Sequence, residues 1–319
     1  MTIWPGAEIS VPGHFFEKKF FMDLTLGFKE IYLPLSEHEH YRAYHKLYVF
    51  EGEFPEGNKL LNEALGSFNN QNLIANEAAK QMASEYSRHQ NGISKIDIQG
   101  SDIIRCVMIE YMVNGDKTVG QYDSIDADGN IRIKVCMSTF DYYSLTEKEK
   151  FNVLYPCIAH ELMHGFIVFN RYFNNAEIDD SPYYYDKSIK CYKELGAENI
   201  AGAFAYALYS TYYHERQAFV SQTSSFVKSR MEGHDKNDVA FLKSAIKDSA
   251  SFHGYSNNLE TCNKLLDSSE LREECMATLN RYGIRYDTDK QFVASVKRTK
   301  KLSVDTLKNV FRNAMLAVS

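Results

Sequence analysis

Between Cys157 and Phe169 only His160, Glu161 and His164 interrupt a run that is otherwise uncharged and mostly apolar. A helix so poor in charge has no face to offer to water, so it must lie inside the molecule. Pro156 stands just before the run, which predicts a short helix upstream and a second helix opening near Pro156 in its first turn. Three polar side chains are carried inside with that second helix, and each needs partners there.

The flanking texture indicates what surrounds the buried helix. Residues 59–89 set Leu60, Leu61, Ala64, Leu65, Phe68, Leu73, Ala75, Ala78, Ala79 and Met82 at mostly helical spacing, which predicts one long helix. Gly66 and the Asn69-Asn70 pair are points where it can break or kink. Strand texture follows. Ile103–Val113 is β-rich and runs into Asn114-Gly115, a two-residue hairpin signal, and a second strand passes through Thr118–Tyr122. The third alternates, with Ile131, Ile133, Val135 and Met137 facing one way and Arg132, Lys134, Cys136 and Ser138 the other. A meander of at least three strands is expected. The turn Asp126–Gly129 does not read as a calcium loop, because Ser124 and Val135 would fill its first and last ligand positions. Thr146 and Glu149 form a capping box, and further helices are expected over 197–229, 236–250, 268–281 and 303–317. Residues 1–57 are aromatic and irregular, with Pro5, Pro12, Pro34 and Pro55 breaking any long element. The fold class is α+β: a small, mostly antiparallel sheet with a backing helix and the buried helix, then a largely helical lobe. The chain divides into 1–57, 58–170 and 171–319.

With 319 residues, 44% hydrophobic and 24% charged, the chain has the size of one large domain or two packed lobes, and disordered and fibrous classes are excluded. Apolar stretches such as Gly202–Leu208 fall short of the ~20 residues that a membrane span needs. Met1–Gly6 shows neither a basic nor an apolar signal region, so a cytoplasmic place is expected, or a virion-associated one for a chain of phage origin. A net charge of −6 argues against nucleic acid as a partner. Residues 287–319 are basic, with seven Lys or Arg against three Asp, and read as a solvated helix face. The six cysteines show no close-pair metal spacing and are expected to be reduced.

His160 and His164, four residues apart on a helix, project from one face and can share a single ion. Zinc suits imidazole, and a catalytic zinc takes three protein ligands and leaves one position open. Glu161 stands about 100° round the helix from His160. From there it can take a proton from an attacking water and later return it to a leaving amine. His160-Glu161-Leu162-Met163-His164, with its uncharged neighbours, resembles the active-site helix of the zincin metallopeptidases. Ile167 and Asn170 stand where the metzincin branch carries Gly and His, so the resemblance is to the gluzincin-like branch, in which a Glu on a later helix is the third ligand. It implies a zincin-like fold, one Zn2+ per chain, a polypeptide substrate, and hydrolysis by a metal-activated water with Glu161 as general base. The rival reading is an inactive zincin-like structural or binding component of a larger assembly.

Glu215 is the best candidate for the third ligand. It interrupts a long apolar helix after Ile200–Tyr213, and small Ala218 one turn on lets two helices approach closely. The Glu-x-x-Ala-Phe texture also resembles third-ligand helices of bacterial and phage-type peptidases. His214 competes, since three histidines suit zinc equally. Glu177, Asp179 and Asp180 in a polar loop remain open, as does Glu198, although Glu194 and Glu198 stand at a helix start where the dipole alone favours acidic residues. An oxyanion-stabilising group is sought among Tyr183, Tyr184, Tyr185, Tyr212 and Tyr213. The strand Ile131–Thr139 is either a sheet edge that can pair with an extended peptide or an interior strand. His38, His40 and His45 read as surface imidazoles. Residues 1–57 and 235–319 are long enough to form a lid, a partner surface or an inhibitory segment.

Overall fold

The structure is a computed structural model. It describes residues 25–31, 47–53, 68–97, 106–115, 117–174, 184–235 and 237–318. The expectations for 98–105, for Glu177, Asp179, Asp180 and Tyr183, and for His38, His40 and His45 lie outside the described residues.

Among the described residues, six strands form one mixed sheet: β1 Thr25–Ile31, β2 Leu47–Glu53, β3 Asn91–Asp97, β4 Cys106–Val113, β5 Val119–Ile125 and β6 Asn130–Met137. Their order is β1-β2-β3-β4-β6-β5. β1 and β2 come from the segment expected to be irregular. Each lies between two prolines of that segment, so the prolines bound strands instead of preventing them.

The expected meander is also corrected. β6 lies between β4 and β5, running parallel to β4 from Cys106↔Asn130 to Val113↔Met137 and antiparallel to β5. Asn114-Gly115 therefore closes no hairpin. Gly115 takes φ 82°, and the turn is held against the end of β6, with Asn114 N donating to Met137 O at 3.1 Å and Thr139 N to Gly115 O at 3.2 Å. Burial explains the order. Ile131, Ile133, Val135 and Met137 are completely buried, which suits an interior strand, whereas Val119 is half exposed and Gln121 is exposed, which suits an edge.

The helices are α1 Phe68–Tyr86, α2 Thr139–Ser144, α3 Glu147–Asn174, α4 Tyr185–Leu195, α5 Ile200–Ser210, α6 Tyr213–Met231, α7 Val239–Lys247, α8 Ala250–Asp267, α9 Ser269–Arg281 and α10 Asp289–Val318. The capping box is present ahead of α3, where Thr146 N donates to Glu149 Oε2 at 2.8 Å and Glu149 N to Thr146 Oγ1 at 3.3 Å. No break occurs at Pro156, which lies inside the 28-residue α3. An interior proline costs about 3 kcal/mol or more. Leu154, Ile158, Leu162, Met163 and Phe166 are buried on either side of it, and each contributes about 1.5–3 kcal/mol on burial. Packing therefore overrides the local signal.

The long helix expected over 197–229 is two. Tyr212 takes an extended conformation (φ −60°, ψ 146°) and starts α6 afresh. The freed end of α5 is satisfied from α8: Tyr255 Oη donates to Ser210 O at 2.5 Å and Asn258 Nδ2 to Ser210 Oγ at 2.8 Å. The break is thus a tertiary feature, which the apolar run from Ile200 conceals.

Among the described residues the interior falls into three clusters. The first joins the sheet to α1, α3 and Ala218 of α6. The second lies among α4, α5, α8, α9 and α10, and the third among α6, α7 and α10. α1, α3 and α6 also share a buried polar junction. Asn76 Nδ2 donates to Ser221 Oγ at 3.2 Å, and Tyr155 Oη donates to Asn76 Oδ1 at 3.3 Å. Cys191, Cys262 and Cys275 lie in the second cluster, and all six cysteines are free thiols. Among the described residues no helix is long and apolar enough to cross a membrane.

Candidate metal centre

α3 lies between the sheet and α6, and its sequence suits both neighbours. On the sheet side, Gly165 allows close approach: a Cβ there would stand 3.3 Å from Ile133 Cδ1 and Val107 Cγ1 and 3.4 Å from Ile131 Cγ2. One turn earlier Glu161, 6% exposed, points at β5 and packs on Gly120. On the other side His160 and His164 face α6. Their Nε2 atoms are 3.1 Å apart with the rings at 75°. Glu215 completes the group, with Oε2 3.5 Å from His160 Nε2 and Oε1 3.5 Å from His164 Nε2. The candidate ligand atoms of the three residues all lie within 4.8 Å of one another.

Glu215 reaches this position because α6 restarts at Tyr213, which puts the carboxylate in the first turn of a helix, where the dipole favours negative charge. It is 1% exposed. Tyr185, in the first turn of α4, donates to Glu215 Oε1 at 2.6 Å, whereas Oε2 has no hydrogen-bond partner. Burial alone would raise the Glu215 carboxyl, but the neighbouring His164 and His160 and the hydrogen bond from Tyr185 outweigh it and hold the group well below the ordinary range. The histidines diverge. Burial, helped by His160 and His214, pushes His164 down to about 3 against the pull of Glu215. At His160 burial also lowers, but the neighbouring Glu215 and Glu161 carboxylates prevail and the group is raised.

These residues fit a zinc ion. Two nitrogens bound to one tetrahedral zinc at ~2.0–2.1 Å stand ~3.4 Å apart, close to the 3.1 and 3.5 Å separations found. Two imidazole nitrogens 3.1 Å apart beside the buried Glu215 carboxylate form a set that a cation satisfies.

The other candidates fall elsewhere. His214 Nε2 is 3.8 Å from Glu215 Oε1, and its ring packs against those of His164 and Tyr185, beside the three-residue group rather than within it. Glu194 and Glu198 are exposed outside the group, and Asn199, not Glu198, caps α5. Among the tyrosines, Tyr185 touches the site, and Tyr212 packs on Tyr185 and His214. Tyr213 is 38% exposed and lies near the Arg216 guanidinium, and Tyr184 lies near Lys187. The strand Ile131–Thr139 proves interior, and the edge beside α3 is β5. Sequence reasoning passed over Gly120 and did not single out Tyr185. A lone glycine inside a strand is a signal of close approach that would have found the first. Nothing local distinguishes Tyr185 from its neighbours. Comparison of the chain with protein-family models, with curated proteins and with solved structures returns no match.

Proposed function

We propose that the chain is a zinc-dependent peptidase of zincin type in which His160, His164 and Glu215 hold the metal and Glu161 is the general base. The observation that carries this reading is the meeting of His160, His164 and Glu215 ligand atoms within 4.8 Å of one another, with Glu161 next to His160 on α3. Bound there, zinc would polarise a water and the scissile carbonyl. Glu161 takes the proton from the attacking water at its carboxylate and returns it to the leaving nitrogen. Tyr185 holds Glu215 through Oε1, and His214, whose ring packs against Tyr185 beside the site, is placed to donate to the developing oxyanion. Among the described residues β5 is the last strand on its side of the sheet, an edge that suits an extended polypeptide as substrate.

A structural zinc site is closed by four protein ligands. Among the described residues His214 stands outside the three-residue group, and three ligands are what an open catalytic site takes. The test is hydrolysis of fluorescein-labelled casein by zinc-loaded wild type and Glu161→Gln, with zinc content measured on both. Loss of about 10²–10⁴-fold in turnover at equal zinc content supports the assignment. A Glu161→Gln protein as active as wild type would refute it.

A further inference from the structure

Gly120 sits on the edge strand β5, paired with Val135 of β6, and its backbone is not among the positive-φ conformations that require glycine. Its lack of a side chain has another use. A Cβ built at this position would clash with Glu161 Oε1 and lie 2.6 Å from Glu161 Cγ and 2.8 Å from Cδ. The carboxylate therefore occupies the space that any other residue at position 120 would fill. At the next turn Gly165 seats α3 against β4 and β6 through Val107, Ile131 and Ile133. The helix is thus seated close on the sheet, with α1 and α6 packed against its other sides.

We infer that Gly120 is the positioning residue for Glu161: the bare backbone of the edge strand is the floor on which the carboxylate rests, and it fixes where the general base stands beside the three ligands. This rests on the peptidase reading for its catalytic meaning but not for its geometry. The three nearest atoms that a methyl group at position 120 would meet all belong to Glu161, and none to His160, His164 or Glu215.

The experiment pairs a crystal structure with kinetics. Glu161 Cγ must withdraw by about 1 Å to restore ordinary carbon–carbon contact of ~3.5 Å. The zinc-loaded Gly120→Ala crystal structure should therefore show the carboxylate displaced by that amount, with His160, His164 and Glu215 in place. A displacement of this size costs up to ~10²-fold in rate. Casein turnover by Gly120→Ala should fall by about that factor, with KM and zinc content nearly unchanged. In a Glu161→Asp background, where the shorter side chain vacates the space, the same substitution should cost less than about threefold, a non-additivity that marks direct coupling. Glu161 found in place with β5 pushed outward would overturn the inference, as would costs that multiply independently. Wild-type protein inert toward casein would count against the peptidase reading, and the crystallographic comparison would then decide the role of Gly120 alone.

Discussion

Tyr185 and Glu215 divide the work at the metal side of the site. One carboxylate oxygen is fixed by the tyrosine hydroxyl at 2.6 Å while the other has no hydrogen-bond partner. Partners that orient a ligand commonly matter ~10–100-fold in metal affinity. Tyr185→Phe should therefore weaken zinc binding by about that factor in a chelator competition, and unchanged affinity would show that α6 alone positions Glu215. The histidine pair was legible in the sequence because four-residue spacing on a helix fixes which side chains share a face. Glu215 was legible as an acid interrupting an apolar run. Tyr185 was not, because its bond to Glu215 crosses from α4 to α6 and leaves no periodic trace. Glu177, Asp179 and Asp180 lie outside the described residues, so nothing in the structure weighs them.

At the scale of elements, α3 and the β5–β6 hairpin hold Glu161 and Gly120 together. Gly165→Val would place branched carbon among Ile133, Val107 and Ile131, all essentially buried. Overpacking of this kind costs about 1–3 kcal/mol, which denaturant unfolding would register as a lower midpoint. A midpoint equal to wild type would mean that the helix can lift off the sheet. The hairpin turn depends on Asp126. Its Oδ1 accepts from Asp128 N and Asn130 N, both at 2.9 Å, and its Oδ2 from Arg132 Nε at 2.8 Å. The Asn130 backbone bond, opposed by burial and helped by the other donors, lowers the Asp126 carboxyl from 3.8 to about 2. A depressed folded value means that the carboxylate stabilises the fold above the unfolded value and ceases to do so as pH falls through the folded one. Asp126→Ala should lower Tm at neutral pH, and the gap from wild type should close between pH about 4 and 2. A gap constant with pH would exclude that charge as the cause. The capping box was readable because its two residues sit three apart. Pro156 and the α5–α6 break misled for the same reason. Local signals cannot reveal that buried neighbours carry α3 through its proline, or that Tyr255 and Asn258 of α8 terminate α5.

Across the whole molecule the candidate site joins parts with separate cores. His160, Glu161 and His164 belong to the sheet-backed half, while Glu215 comes from α6, which contributes Ala218 to that core and Val220, Val227 and Met231 to a helical one. The α+β class and the helical second half were legible from texture. The mixed sheet order was not, because strand order depends on which strand buries most, and β1 and β2 come from the aromatic N-terminal segment. An ion held by both halves binds the folded state alone, so excess zinc should raise Tm. In Glu215→Ala most of that rise should disappear, and a full rise would mean that the ion binds elsewhere. The most direct test of the account is the zinc content per chain, by elemental analysis, of wild type and Glu215→Ala purified without added metal. The account predicts about one zinc in wild type and markedly less in the variant. Wild-type protein that holds no zinc even when zinc is supplied would contradict it.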